Sequence, residues 1–381
     1  MKKGTSYQLL KVARYTEKAR LVEWTIPLYW RARPRRVSAR FIPTSTLPRS
    51  ATKFACLTGA IILAAVYGYR ANTHAESALP LRQIADVPLP GNATRLDYQS
   101  LDPQRHLLFI AHLGDSDVLV VNTATRKVVA TIPNISRVHG VLAMPALNTV
   151  YASATGTNEV VAIDERTLKV TARAQGGVYP DGIAFDPVTR HLFVSDERGS
   201  TDTVIDTRTN KRIATIELGG EVGNTQYDPV SHHMFSNVQT LGNLVEIDSR
   251  TNRIVGKTAL RGCSGNHGLL IDARNRRAFI ACEDNAAFVW LDMRTMRIVK
   301  TWTIGANPDV LALDAVRYRL YVAAESGVVS IFTDDKTVRR LAQGYLAPAA
   351  HTVAVDPITH VIYFPLANIN GRPVLRIMEP R

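Results

Sequence analysis

Asp97, His139, Asp181, His267, Asp309 and His351 carry groups that bind metal ions and move protons, and they fall in one series. With Gly223 as the seventh member, the intervals are 42, 42, 42, 44, 42 and 42 residues. Three imidazoles with three carboxylates suit a divalent transition metal such as Zn, Cu, Ni, Mn or Fe, the carboxylates acting as ligands or orienting the imidazoles. Three or four of the six can share one ion, and His139, His267 and His351 are the first choice. A second reading needs no ligand: polar side chains line a water-filled channel and satisfy backbone amides at strand starts. Asp in Pro180-Asp181-Gly182 and Pro308-Asp309-Val310 suits that role. Turn chemistry does not account for three histidines at equivalent positions.

Cys263 and Cys282 add a second candidate near His267. Cys263 lies in Arg261-Gly-Cys-Ser-Gly-Asn-His267, in or next to the point where the spacing slips by two residues. In an oxidising compartment the two sulfurs can form a bridge; as thiolates beside His267 they make a soft-metal site. The sequence lacks the nucleophile elbow Gly-x-Ser-x-Gly, the phosphate loop Gly-x-x-x-x-Gly-Lys and the zinc-protease helix His-Glu-x-x-His.

The elements that position these residues are repeats. An aromatic recurs in an apolar run at Phe109, Tyr151, Phe193, Phe235, Phe279, Tyr321 and Tyr363, with the same single slip to 44. An Asx-x-x-Thr turn recurs in step at Asn122/Thr125, Asp164/Thr167, Asp206/Thr209, Asp248/Thr251, Asp292/Thr295 and Asp334/Thr337. Each unit reads as four short strands, A to D, with Asp-Pro or Asx turns between them. In the third unit these are Gly182–Asp186, His191–Ser195, Asp202–Ile205 and Arg212–Ile216. Four strands in about 42 residues is one propeller blade. The fold class is therefore all-β, a seven-bladed β-propeller with units starting near residues 97, 139, 181, 223, 267, 309 and 351. The last unit lacks its outer strand, and residues 82–88 are expected to supply it and close the ring. Loops D–A and B–C then share one face with the chemistry-bearing series, joined there by His112, Asp196, Glu197, Cys282, Glu283 and Glu325 at the ends of strand B. Turns A–B and C–D share the other.

Phe193-Val-Ser, Tyr321-Val-Ala and the run Val204-Ile205-Asp206-x-Arg208-Thr209-Asn210-Lys211 resemble the YVTN repeat family, over about residues 80–381. That family includes YncE-like periplasmic proteins and surface-layer-type propellers. The resemblance implies an exported seven-bladed propeller and no particular activity. Reported DNA interaction among YncE-like members is not favoured here on charge.

The net charge of +13 is unevenly placed. Residues 1–53 hold 13 Lys/Arg against Glu17 and Glu23, whereas residues 76–381 hold 32 Lys/Arg against 31 Asp/Glu. Taken whole, the folded part is near neutral and offers no basic nucleic-acid surface. Residues 1–53 form a basic extension. Residues 54–75 read as a signal peptide or signal anchor: Phe54–Tyr69 is uncharged, 16 residues long, and followed by Thr73-His74-Ala75. Both readings export residues 76–381 to a periplasmic or extracellular location, with the membrane engaged only through this segment if it stays uncleaved. The expected function is a binding module that offers its channel mouth to a metal, a small ligand or an envelope protein. The alternative is an enzyme, a metal-dependent lactonase or lyase similar in architecture to the gluconolactonase family and virginiamycin B lyase. His267 and Glu283 would then be its acid–base pair.

Overall fold

The computed structural model describes residues 79–381, so the readings placed on residues 1–53 and 54–75 lie outside the described residues. Twenty-eight strands form seven four-stranded antiparallel sheets. Blade 3 is typical, with strands Pro180–Asp186, His191–Asp196, Thr201–Asp206 and Lys211–Glu217 paired in that order. Each innermost strand packs beside its neighbours around a ring, and the first packs beside the seventh. In blades 1 and 7 strand A is short, Gln99–Asp102 and Ala354–Val355, so Asp97 and His351 lie just ahead of it.

Local chemistry explains the turns. After strand A, Asp186 accepts the Val188 N–H at 2.8 Å, Asp314 the Val316 N–H at 3.2 Å and Asp356 the Ile358 N–H at 2.8 Å. After strand C, Asn122 accepts the Thr125 N–H at 2.8 Å and Asp164 the Thr167 N–H at 2.7 Å. A short carboxylate or amide thus fixes a turn that the backbone alone would leave open. Blade 6 departs from the expected pattern: Asp335, not Asp334, accepts the Thr337 N–H, at 3.1 Å. Asp334 is buried instead and pairs with Arg277 of blade 5. A buried guanidinium needs a carboxylate more than the turn does.

The core is a set of wedges between neighbouring blades. Phe109 and Val120 of blade 1, for example, pack with Val141 and Val161 of blade 2. The repeated aromatic is buried in every blade, from Phe109 at 0% exposed to Tyr151 at 3%. Outer strands are covered on one side only in part, as in Arg253–Ala259, where exposed and half-buried residues alternate. Leu81–Pro88 pairs antiparallel with Arg372–Pro380 and completes blade 7, so the N-terminal strand closes the ring. Arg376 fixes that seam through a two-pronged contact with Asp86 at 3.0 and 2.8 Å.

Candidate functional site

The six chemistry-bearing members of the series converge at one end of the channel and are all buried, from 2% exposed at Asp97 to 9% at His267. Five of them line a cavity of about 300 Å³; His351 touches it through Asp97. Gly223 is the exception because blade 5 leaves no room: a Cβ there would lie 2.7 Å from the His267 carbonyl oxygen.

The residue two places before each ring position prepares the imidazoles. Arg137 (φ 47°) and Ala349 (φ 51°) are left-handed, and their carbonyls accept from His139 Nδ1 at 2.9 Å and His351 Nδ1 at 3.0 Å. With Nδ1 carrying the donated proton, Nε2 is the atom turned toward the channel. His139 Nε2 accepts from the Tyr179 hydroxyl at 3.2 Å and lies 3.9 Å from Asp97. His351 Nε2 lies 3.3 Å from Asp97 Oδ1. His267 differs: Gly265 precedes it by two, its Nδ1 has no partner, and its Nε2 meets Tyr98 Oη at 3.0 Å. The same Nε2 lies 3.5 Å from Asp309 and 3.9 Å from Asp181.

Two groups of three potential ligands result, each with donor atoms within 4.8 Å of one another: Asp97, Asp309 and His351, and Asp97, His139 and Asp181. Asp97 belongs to both. Among the described residues the three histidines do not form such a set, contrary to the first choice made from the sequence. Each imidazole faces a carboxylate of a neighbouring blade instead, His139 and His351 facing Asp97 and His267 facing Asp309.

Opposed forces set the protonation states. Burial pushes Asp97 up, but the His351 hydrogen bond and the Arg95 charge outweigh it and hold the carboxyl below its ordinary value. Burial pushes Asp181 well up and Asp309 up, against the pull of His267 in each case. Burial lowers His139, with the Asp97 charge only partly offsetting it. Burial also acts to lower His267, yet Asp309, Glu283, Asp181 and Glu197 outweigh it and raise the imidazole to about 9. Asp181 Oδ1, 2% exposed as a residue, accepts no hydrogen bond. Burial favours the neutral carboxyl there, and an oxygen left without a donor is a position that a cation can satisfy by restoring the carboxylate.

Glu197 and Glu283 line the cavity as expected, and Glu325 lies at its edge, paired with Arg95. His112 and Asp196 do not reach it. His112 is held by Thr94 Oγ1 at 2.9 Å, and Asp196 accepts Thr201 at 2.8 Å, Thr203 at 2.7 Å and the Gly177 N–H at 2.9 Å. Sequence reasoning missed Arg95, Arg137 and Tyr179, although all three stand two residues before a ring position, and it missed Tyr98, one residue after Asp97. The repeat frame held that signal. Cys263 and Cys282 are joined in a disulfide with Cα atoms 5.4 Å apart, so neither sulfur is left as a thiolate ligand and the soft-metal alternative falls.

No family model matches the chain. No curated protein matches it either. Among solved structures, Kuenenia stuttgartiensis hydrazine synthase is similar at 16% identity with a TM-score of 0.65, covering 81% of this chain and 99% of that one. The crystal structure of RRP9 WD40 repeats is similar at 10% identity with a TM-score of 0.68, covering 79% of this chain and 100% of that one. At these identities the likeness is one of fold alone, and the chain is a seven-bladed β-propeller.

Proposed function

We propose that this is an exported, YncE-like propeller that binds a divalent transition metal at its acidic channel mouth and acts as a binding module. The observation that carries the reading is the pair of ligand groups meeting at Asp97, with His139 and His351 each oriented through Nδ1 so that Nε2 faces the ion. One nitrogen and two carboxylates per group suit borderline ions such as Mn, Fe, Co, Ni or Zn. The disulfide supports export, since such bonds persist in oxidising compartments. Elemental analysis of protein purified without chelator, with titration calorimetry for Mn and Zn, tests the reading. Stoichiometric metal is expected, lost in Asp97→Asn and reduced in His139→Ala and in His351→Ala. A metal-free parent that takes up neither ion overturns it.

One feature favours the enzymatic alternative. His267 and Glu283 face the same cavity, and burial raises the Glu283 carboxyl against the pull of His267. With the imidazole protonated, His267 would serve as acid and Glu283 as base. Metal-dependent opening of lactones or cyclic esters, abolished by His267→Ala, would establish this; a panel without turnover removes it.

A further inference from the structure

The near-neutral charge of the folded part conceals a division between its two faces. Taken from the last residue of one strand to the first of the next, turns A–B and C–D hold 18 Lys/Arg against 13 Asp/Glu. The loops of the channel-mouth face hold 5 against 11. Most of the acids on the turn face are Asx-turn residues. Asp186, Asp228, Asp314 and Asp356 are at most 2% exposed; Arg276 and Arg277 are drawn in by Asp228 and Asp334, while Arg166, Arg190, Arg208, Arg250 and Arg294 are exposed.

The same turn geometry arranges two concentric sets of side chains there. Two residues after the turn Asp of A–B stand Val188 (50% exposed), Val230 (57%), Val316 (64%) and Ile358 (62%). Two residues after the turn Asp of C–D stand Arg166, Arg208, Arg250 and Arg294, all exposed. In each case the residue donates its own N–H to that carboxylate, which pins the tip outward. Strand A is innermost, so these tips of blades 3, 4, 6 and 7 lie nearer the channel than the four arginines; in blade 5 the exposed Arg274 takes the same inner position. Arg208 and Arg294 keep contact with their own turn Asp at 3.2 and 3.8 Å while remaining 49% and 61% exposed. Between blades 2 and 4 the face opens into a mostly apolar cavity of about 490 Å³, lined by Leu147, Pro187 and Tyr227 with Arg190 among them.

The chain also enters the propeller on this face. Leu81 pairs with Pro380, and the Arg381 N–H donates to the Pro80 carbonyl at 2.9 Å, at the end of blade 7 that carries the turns. Nine residues separate Leu79 from the uncharged stretch ending at Tyr69, a reach of at most about 35 Å.

We propose that the turn face lies on an anionic lipid surface. Aliphatic tips enter the headgroup boundary, the arginines of blades 2 to 5 neutralise lipid phosphates, and the acidic channel mouth faces away. An acidic protein or a nucleic acid would use the cations but leaves the exposed aliphatic tips and the point of chain entry unaccounted for.

The test uses the full chain, co-sedimented with vesicles of phosphatidylglycerol and phosphatidylcholine in equal parts and with vesicles of phosphatidylcholine alone. Two combined variants are compared with the parent: Val188→Ser, Val230→Ser, Val316→Ser and Ile358→Ser; and Arg166→Gln, Arg208→Gln, Arg250→Gln and Arg294→Gln. All carry the same N-terminal segment, so a difference reports on the face, and matching thermal unfolding verifies folding. Binding to the anionic vesicles is expected to weaken about tenfold or more in each variant, and the arginine variant is expected to show a shallower salt dependence than the parent, the remainder belonging to the basic N-terminal segment that both share. Equal binding by parent and variants assigns all membrane affinity to the N-terminal segment and overturns the proposal. So does an arginine-dependent affinity for duplex DNA or polyglutamate in a parent whose vesicle binding is unaffected by the serine changes.

Discussion

Asp202 shows how much one buried carboxyl costs. It is 0% exposed on strand C of blade 3, accepts Ser236 Oγ at 2.5 Å, and leaves Oδ1 without a partner. Burial raises it from 3.8 to about 7 against the Ser236 hydrogen bond. The folded protein therefore holds a proton that the unfolded chain releases, and stability falls as pH rises from about 4 to 7. A shift of that size corresponds to about 4 kcal/mol at most. Asp202→Asn should remove this slope: denaturant midpoints at pH 4 and pH 8 should diverge between parent and variant, the variant gaining at high pH. A difference between the two that is independent of pH would refute the assignment. His267 makes the complementary case at the channel mouth. Its Nε2 is committed to Tyr98, Asp181 and Asp309 and stands outside both ligand groups. His267→Ala should keep the metal that His139→Ala and His351→Ala weaken, and calorimetry separates the three.

At the scale of elements, each blade is held by its own ladder and latched to its neighbours through the turns. Asp186 illustrates the latch, accepting Thr189 within its turn and Ser249 of blade 4, both at 2.7 Å. Asp186→Ala removes the acceptor from both and should cost about 2 kcal/mol, read as a shifted denaturant midpoint. In blade 5 the disulfide joins the D–A loop to the end of strand B across 19 residues. Closing a loop of that size stabilises by about 3 kcal/mol through the unfolded chain. Reduction, or Cys263→Ser with Cys282→Ser, should lower stability by that amount; no change on reduction would show the bond to be energetically idle.

For the whole molecule, closure is the decisive contact. Blade 7 takes Leu81–Pro88 as its outer strand, so the two ends of the described chain hold each other. Deleting residues 81–88 exposes the long edge of Arg372–Pro380 and removes the Asp86 partner of Arg376. The expected result is loss of the cooperative thermal transition and association through the open edge, seen by size-exclusion chromatography. A monomer with parental unfolding would show the seam to be dispensable.

The chain by itself determined the periodic features: the blade number, the Asx turns, the buried aromatic of strand B and the missing outer strand. Each recurs, or fails to recur, in step with the 42-residue unit, often enough to be read without knowing the fold. Even the left-handed residues two places before Asp181 and Asp309 sit in that frame, although their role in turning carbonyls toward Nδ1 becomes visible only at His139 and His351. Tertiary structure alone decided which groups meet. Asp97 faces His351 across 254 residues of sequence, Asp334 leaves its turn for Arg277, and Gly223 yields to the backbone of blade 5. Those outcomes depend on the ring radius and the angle between blades, which are set by the packing of all seven wedges together. The division of charge between the faces is of the same kind, because a sum along the chain cannot register which end of a strand each residue occupies.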